Sequence, residues 1–135
     1  MNTQTTVFVD PQDAEKNKFF GILAYFPFLF LIPLFAAQDS KFSKFHANQG
    51  LLLTIVAVIL WVIQKILNSI IIRIMYRNIW NNPFSYAAGG GIATSIVGLV
   101  VWAIITVLAI IGIISANKGE CKPLPLIGKF NLINK

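Results

Sequence analysis

The sequence predicts an all-α, polytopic membrane protein with about three transmembrane helices and an interfacial amphipathic segment. Hydrophobic residues make up 56% of the 135 residues and charged residues only 12%, whereas soluble domains carry about 25% charged residues. A soluble protein this small could not bury so much apolar surface, because small domains expose more surface per unit volume. Three long apolar runs alternate with polar segments, and each run could cross a bilayer as a helix.

The chain divides into three predicted parts. Residues 1–18 form a polar N-terminal tail, residues 19–116 a three-span transmembrane helical domain, and residues 117–135 a C-terminal interfacial tail. Asp10 or Asp13 is expected to cap a short helix that leads towards the membrane. Because the first residues are polar rather than basic and then apolar, we expect no cleavable secretory signal.

The first apolar run covers residues 19–37 and contains Pro27 and Pro33. Each proline removes a helical hydrogen bond and crowds the preceding turn. The run therefore predicts a kinked helix that packs against the other spans. The alternative is a re-entrant hairpin, which enters and leaves the membrane on the same face.

The segment between the first and second runs is amphipathic. Phe42 and Phe45 are three positions apart, so both can face the membrane while Lys41 and Lys44 face water. This spacing predicts an interfacial helix that leads into the second span.

Polar side chains interrupt the end of the second run at helical spacing. Among them, Lys65, Asn68 and Arg73 lie on one predicted stripe. One interpretation is an amphipathic helix end that reaches the head groups, where the long Lys65 side chain can extend to water. The other is a stripe that lines a wet cavity within the membrane.

The third run covers residues 92–116 and carries small residues mostly three or four positions apart. They include Ser95, Gly98, Ala109 and Gly112. Small side chains allow two helices to approach closely in lipid. The stripe indicates packing against the chain's own helices or, alternatively, dimerisation.

The distribution of basic residues predicts the orientation. With three spans, the segment before the second run and the C-terminal tail share one side, which carries more lysine and arginine than the other. The positive-inside rule then predicts a multi-pass protein of the bacterial inner (plasma) membrane with a cytoplasmic C-terminus. His46 and Gln49 would meet Lys118 and Gly119 at this cytoplasmic face.

The sequence contains no recognisable catalytic or metal-binding motif. One histidine and one cysteine, 75 positions apart, do not make a zinc or nucleophile site, so we expect no enzyme activity, no metal and no cofactor. His46 is expected to be a hydrogen-bonded interfacial histidine, and metal binding with another subunit is the alternative. The basic residues that produce the net charge of +6 flank the apolar runs. This pattern favours membrane lipids over nucleic acid as partners.

Three segments carry a resemblance to a known family: LAYFPFLFLIPLF (23–35), DSKFSKFHANQGLLL (39–53) and ISANKGECKPLPLIGK (114–129). They resemble small bacterial membrane proteins related to the chloroplast inner-envelope component of the protein-import translocon. That family carries Phe-His-Ala-Arg-Gln-Gly before its second span, and this chain has asparagine, Asn48, in place of the arginine. The other matching positions are Phe45, His46, Ala47, Gln49, Gly50, Ala116, Lys118, Gly119, Lys122, Pro123, Leu124 and Pro125.

The resemblance implies a channel-like or translocation component. We therefore expect a non-enzymatic transport or translocation-associated subunit, and one chain with three helices has little room to enclose a pore alone. It would act as a homo-oligomer or within a larger membrane complex. The alternative is a non-conducting structural, stress-protection or immunity protein of the membrane.

Overall fold

The computed structural model describes residues 7–77, 81–85 and 89–133, and every element in these ranges is helical. The all-α class is confirmed. Residues 1–6 of the predicted N-terminal tail and residues 134–135 of the C-terminal tail lie outside the described ranges. The elements are α1 (Pro11–Leu23), α2 (Leu31–Ala36), α3 (Lys41–Tyr76), the short turn α4 (Pro83–Ser85) and α5 (Gly91–Asn117).

Two of the described helices, α3 and α5, are long and apolar enough to cross a membrane. They have 36 and 27 residues, and their most apolar windows have mean hydropathies of 2.3 and 2.9. Only 17% and 6% of these windows is buried within the chain, unlike the core helix of a soluble protein. The structure supports the membrane class, but the predicted total of about three spans is not confirmed.

The first apolar run is not one continuous helix, so the kinked helix predicted over residues 19–37 is wrong. α1 ends at Leu23 and α2 begins only at Leu31. Pro27 has no N–H to continue α1, and Phe28 adopts a φ of 64°, which lies outside the helical region. Pro33 sits in the first turn of α2, where a missing N–H costs no helical hydrogen bond.

Tight turns pair several backbone groups between α1 and α2. The amide of Phe26 donates to the carbonyl of Leu23 at 3.2 Å, that of Leu29 to Phe26 at 3.1 Å, and that of Ile32 to Leu29 at 3.0 Å. Unpaired backbone groups are costly away from water. These turns therefore lower the cost of placing this non-helical connection in an apolar environment.

The two ends of residues 11–40, here called the N-terminal hairpin, lie close together. Asp10 caps α1, accepting from the amide of Gln12 at 2.9 Å, which confirms one of the two predicted caps. One turn later, the carboxylate of Asp13 accepts from the amide of Phe42 at 3.2 Å. It also bonds to the side chain of Ser40, so the entry and exit of the hairpin are joined.

The tip of the hairpin packs against Gly50 of α3. A Cβ added to Gly50 would collide with the backbone of Ala24 and lie 3.1 Å from the Cβ of Phe30. Phe42 and Gly50 are eight residues apart on α3, which corresponds to about 12 Å at 1.5 Å per residue. The hairpin therefore extends along less than half of a hydrocarbon core of roughly 30 Å.

The chain forms two compact units. The terminal unit comprises Met1–Val56 and Thr106–Lys135, and the central unit comprises Ala57–Ile105. In the terminal unit, the described apolar core contains Phe42 and Leu124, each at most 2% exposed. Most large apolar side chains of the central unit are exposed, such as Trp61 and Trp102.

Candidate functional site

The candidate site is a buried polar cluster at the start of α3, formed by His46, Asn48 and Gln49. α3 begins after Ser40, whose hydroxyl accepts from the amide of Ser43 at 3.0 Å and caps the helix. The three polar side chains are each less than 5% exposed. Buried polar groups need partners, and here most of the partners come from the tail that follows α5.

His46 links the N-terminal hairpin to the tail. Its Nε2 lies 3.1 Å from the carbonyl oxygen of Glu120, and its Nδ1 lies 2.9 Å from the hydroxyl of Tyr25. Because a carbonyl only accepts, Nε2 of the neutral ring carries the hydrogen and Nδ1 accepts from Tyr25. The ring also packs edge-on against Phe42 at 4.5 Å between centroids. Both nitrogens are therefore engaged within the chain.

Both the nitrogen and the oxygen of the Gln49 side-chain amide form hydrogen bonds with the backbone of the tail. Its Nε2 donates to the carbonyl of Gly128 at 3.2 Å, and its Oε1 accepts from the amide of Leu124 at 3.0 Å. One side chain thus holds both ends of a five-residue turn. Prolines in this segment preclude a regular helix, so its backbone groups need such outside partners.

Asn48 holds the chain further along the tail. Its Nδ2 donates to the carbonyl of Phe130 at 2.9 Å, and its Oδ1 accepts from the amides of Leu132 at 2.6 Å and Ile133 at 3.1 Å. These partners are more than 80 residues away in sequence. We call the contacts of His46, Asn48 and Gln49 with the tail the tail clamp.

A tight turn after α5 brings the tail to the clamp. Gly119 has a φ of 72°, and its amide donates to the carbonyl of Ala116 at 3.0 Å, while the amide of Glu120 returns to Ser115. This is the left-handed glycine turn that commonly ends helices. The hydroxyl of Ser115 also donates to the Glu120 carbonyl at 2.9 Å. Gly119 therefore acts through its backbone, whereas the Lys118 side chain is exposed.

Cys121 is a buried residue of the tail and lies near Asp13 of the N-terminal hairpin. Its carbonyl accepts from the amide of Val7 at 3.2 Å, and its side chain is buried. Burial, and then the nearby carboxylate of Asp13, raise the pKa of the Cys121 thiol to about 12. The thiol is therefore protonated and shielded at neutral pH, which makes it a poor nucleophile.

The side chains of the predicted polar stripe differ in burial. Asn68 is half-buried, and its Oδ1 is buried without a hydrogen-bond partner. Lys65 and Arg73 are exposed, eight residues apart on one row, with the Lys65 ammonium 5.4 Å from the ring centroid of Trp61. The structure thus does not bring Lys65, Asn68 and Arg73 together into one polar surface.

The small residues of α5 also have different environments. Within the central unit, a Cβ at Gly98 would lie 2.9 Å from the Nε2 of Gln64, and in the terminal unit the ring of Tyr25 covers Gly112. Ser95 is exposed and donates to its own helix at Gly91, 2.8 Å away, and Ala109 is half-buried. Two of the four thus contact the chain itself.

Sequence reasoning missed Tyr25 and the backbone of the tail as partners of the cluster. One usable signal was the series of uncharged polar side chains His46, Asn48 and Gln49 beside an apolar run. Another was a proline-containing segment with unpaired backbone groups, residues 121–129. The predicted topology placed His46 and Gln49 on the same face as Lys118 and Gly119, but local spacing does not reveal which groups pair across more than 70 residues.

The described residues offer no group of side chains that could hold a metal ion. Among those residues, no three or more His, Cys, Asp or Glu side chains are placed to hold an ion. In addition, the two nitrogens of His46 are already engaged by Tyr25 and Glu120.

The comparison with protein families overturns the resemblance to the chloroplast translocon. The residues that carried it, such as His46, Gln49 and Gly119, form the tail clamp and its turn. Neither the curated proteins nor the solved structures give a match. A family model described as the magnetosome magnetite crystal formation protein family, MamF/MmsF, matches residues 16–131. Since this match covers most of its length, the chain belongs to the MamF/MmsF family.

Proposed function

We propose that this protein is a non-enzymatic, multi-pass membrane subunit that takes part in magnetite crystal formation in magnetosomes. The family match carries the biological context. The two long helices with exposed apolar surfaces support residence in the membrane. The proposed location is the membrane in which the crystal forms, with a pool in the bacterial inner membrane as the alternative.

The depth of the N-terminal hairpin supports two crossings and one re-entrant segment. Its ends meet at Asp13 and Phe42, and its tip reaches only Gly50. A segment of that depth enters from one face and returns to it, whereas α3 and α5 are long enough to cross. The N-terminal segment, the start of α3 and the tail would then share one face.

Charge supports a cytoplasmic position for that face. Seven lysines in the described part of the terminal unit compare with three basic residues in the central unit. The former are Lys16, Lys18, Lys41, Lys44, Lys118, Lys122 and Lys129, and the latter are Lys65, Arg73 and Arg77. Basic residues concentrate on the cytoplasmic side, so the proposed C-terminus is cytoplasmic.

The distribution of carboxylates favours an organising role over iron coordination. All five Asp and Glu residues of the sequence lie outside residues 57–105. Carboxylate oxygens are the ligands that hard metal ions prefer. The central segment, which would include the far side of the membrane, therefore offers no side-chain carboxylate to the crystal.

An exposed polar row supports assembly into an oligomer or larger complex. Lys65, Ser69 and Arg73 lie four residues apart on an otherwise apolar face of α3, and all three are exposed. Ionisable groups in a membrane segment are costly unless they reach water or a partner. A second copy or another membrane subunit would shield this row.

Transport is the second candidate, and the same polar row favours it. Several copies could arrange their Lys65–Ser69–Arg73 rows around a wet path. Replacing Lys65 and Arg73 with glutamine should then change ion flux through reconstituted liposomes. The matched control is Lys41→Gln with Lys44→Gln, which removes the same charge from the start of α3. Unchanged ion flux in both double variants would exclude transport through this row and favour the non-conducting role.

Deleting the gene in its host and imaging the magnetite crystals by electron microscopy tests the main proposal. We expect altered crystal size or shape, restored by the wild-type gene. Complementation with Gly50→Ala should fail, because the substitution displaces the hairpin, while Gly91→Ala should succeed because its Cβ meets open space. Crystals indistinguishable from wild type in the deletion strain would refute the proposal.

A further inference from the structure

A groove at the end of α5 combines an apolar floor with a basic rim. Its cavity measures about 310 Å³. The turn at Gly119 folds the chain back, so that prolines of the tail face isoleucines of the last turns of α5. The residues that define the floor and rim are Ile111, Ile114, Lys118, Lys122, Pro123 and Pro125.

The floor of the groove continues the lipid-facing surface of α5. Ile111 and Ile114 are 41% and 48% exposed, and they lie on the last turns of a helix that contains no charged residue. An acyl chain that lies along α5 would therefore reach this groove without leaving apolar surface. This step rests on the proposed membrane crossing of α5.

The rim carries a net positive charge. Lys118 and Lys122 contribute two ammonium groups, and Glu120 contributes one carboxylate, which pairs with Lys122 at 2.8 Å. Lysine proximity also lowers the pKa of Glu120, first through the hydrogen bond from Lys122 and then through the charge of Lys118. The rim therefore keeps one positive charge in excess at neutral pH.

Backbone carbonyls do not cancel this charge, although the C-terminal end of a helix is ordinarily negative. The carbonyls of Ile114, Ser115 and Ala116 accept from the amides of Lys118, Glu120 and Gly119. The carbonyl of Glu120 accepts from Ser115 and His46. The groove thus presents ammonium groups above apolar side chains.

We infer that this groove binds one anionic phospholipid, with the head-group phosphate between Lys118 and Lys122 and an acyl chain along Ile111 and Ile114. The charge of the rim selects an anionic head group, and the apolar floor selects a lipid over a soluble phosphate. The bound lipid would attach the base of the tail to the membrane surface.

Native mass spectrometry of the full chain, titrated with phosphatidylglycerol or phosphatidylcholine in detergent, tests the inference. Wild type should retain phosphatidylglycerol preferentially. Each lysine close to an anionic lipid contributes about a fivefold factor in affinity, so Lys118→Gln with Lys122→Gln should weaken retention by roughly 30-fold. Lys41→Gln with Lys44→Gln removes the same charge from another part of the terminal unit and should leave retention unchanged.

Three outcomes would overturn the lipid site: equal retention of the two lipids by wild type, equal loss in the test and control pairs, and unaltered lipid binding in the test pair. Slow alkylation of Cys121 in the test pair would show that the tail is still folded, so a loss of lipid could not be ascribed to unfolding. Alkaline extraction of membranes separates the two proposals: extraction of wild type refutes membrane crossing, whereas retention with unaltered lipid binding in the test pair refutes only the site.

Discussion

At the residue scale, the tail clamp depends on side-chain amides that replace missing backbone partners. Gln49 alone bonds to Leu124 and Gly128. Its environment is dry, because the side chain is 1% exposed. In such a place an unpaired donor or acceptor costs about 1–3 kcal/mol. The Gln49 amide therefore stabilises the folded tail by more than the small size of the group suggests.

Replacing Gln49 with alanine should open the tail. The change leaves the amide of Leu124 and the carbonyl of Gly128 unpaired, which costs about 2 kcal/mol and raises the open population roughly 30-fold. Because Cys121 is buried and protonated in the closed state, its rate of maleimide labelling reports the opening. Gln38→Ala, at an exposed position, is the control; equal rates for Gln49→Ala and wild type would contradict the clamp.

Gly50 is required by the close approach of the hairpin. A methyl group at this position would overlap the backbone of Ala24, which cannot move as a side chain can. Gly50→Ala should lower the free energy of unfolding by about 1–3 kcal/mol, the usual cost of overpacking. Thermal unfolding in detergent, followed by circular dichroism, measures it. Gly91→Ala meets open space and should be neutral or stabilising, so matching losses in both variants would disprove the contact.

At the scale of elements, α1 is held to the start of α3 by one carboxylate. Burial raises the pKa of Asp13, but hydrogen bonds from the Ser40 side chain, the Phe42 amide and the Asn17 side chain outweigh it and leave the pKa below its ordinary value. Asp13 therefore stabilises the folded hairpin more when it is ionised than when it is protonated. The N-terminal hairpin is accordingly sensitive to acid.

Acidification should destabilise the protein through Asp13. A lowered pKa contributes stability that is present above the ordinary value near 4 and disappears as the pH falls through the folded-state pKa. The melting temperature of wild type should therefore fall more steeply below about pH 4 than that of Asp13→Asn, which is already less stable at neutral pH. Glu15→Gln, at an exposed position of α1, should follow wild type. Parallel curves for wild type and Asp13→Asn would exclude this role.

At the scale of the whole molecule, the hairpin supports the proposed number of crossings. If residues 19–37 crossed the bilayer, the N-terminal segment and the tail would lie on opposite sides. In the structure, the amide of Val7 bonds to the carbonyl of Cys121, which places these segments together. The proposed two crossings and one re-entrant segment place both segments on one face of the membrane, in agreement with this contact.

Single cysteines in a Cys121→Ser background test that topology. In protein of the inner-membrane pool, an impermeant maleimide applied to intact cells with a permeable outer layer should label Asn81→Cys and spare Asp10→Cys and Lys129→Cys. All three positions are exposed in the chain, so lipid and sidedness decide the result. Labelling of only one of the two terminal positions would demonstrate that the first run crosses, and labelling of both without Asn81→Cys would reverse the orientation.

The sequence by itself determined the helical membrane class and the cap of α1, because these depend on local composition and spacing. The apolar stretches within α3 and α5 follow from side chains that water does not tolerate, and Asp10 precedes Pro11 at the start of α1. Only the tertiary structure decided that the first run turns back and that His46, Asn48 and Gln49 hold the tail. Both features arise from contacts between residues far apart in sequence, such as Gly50 with Ala24 and Asn48 with Phe130. Such pairings depend on how the helices come together, which the spacing of residues within one segment does not encode.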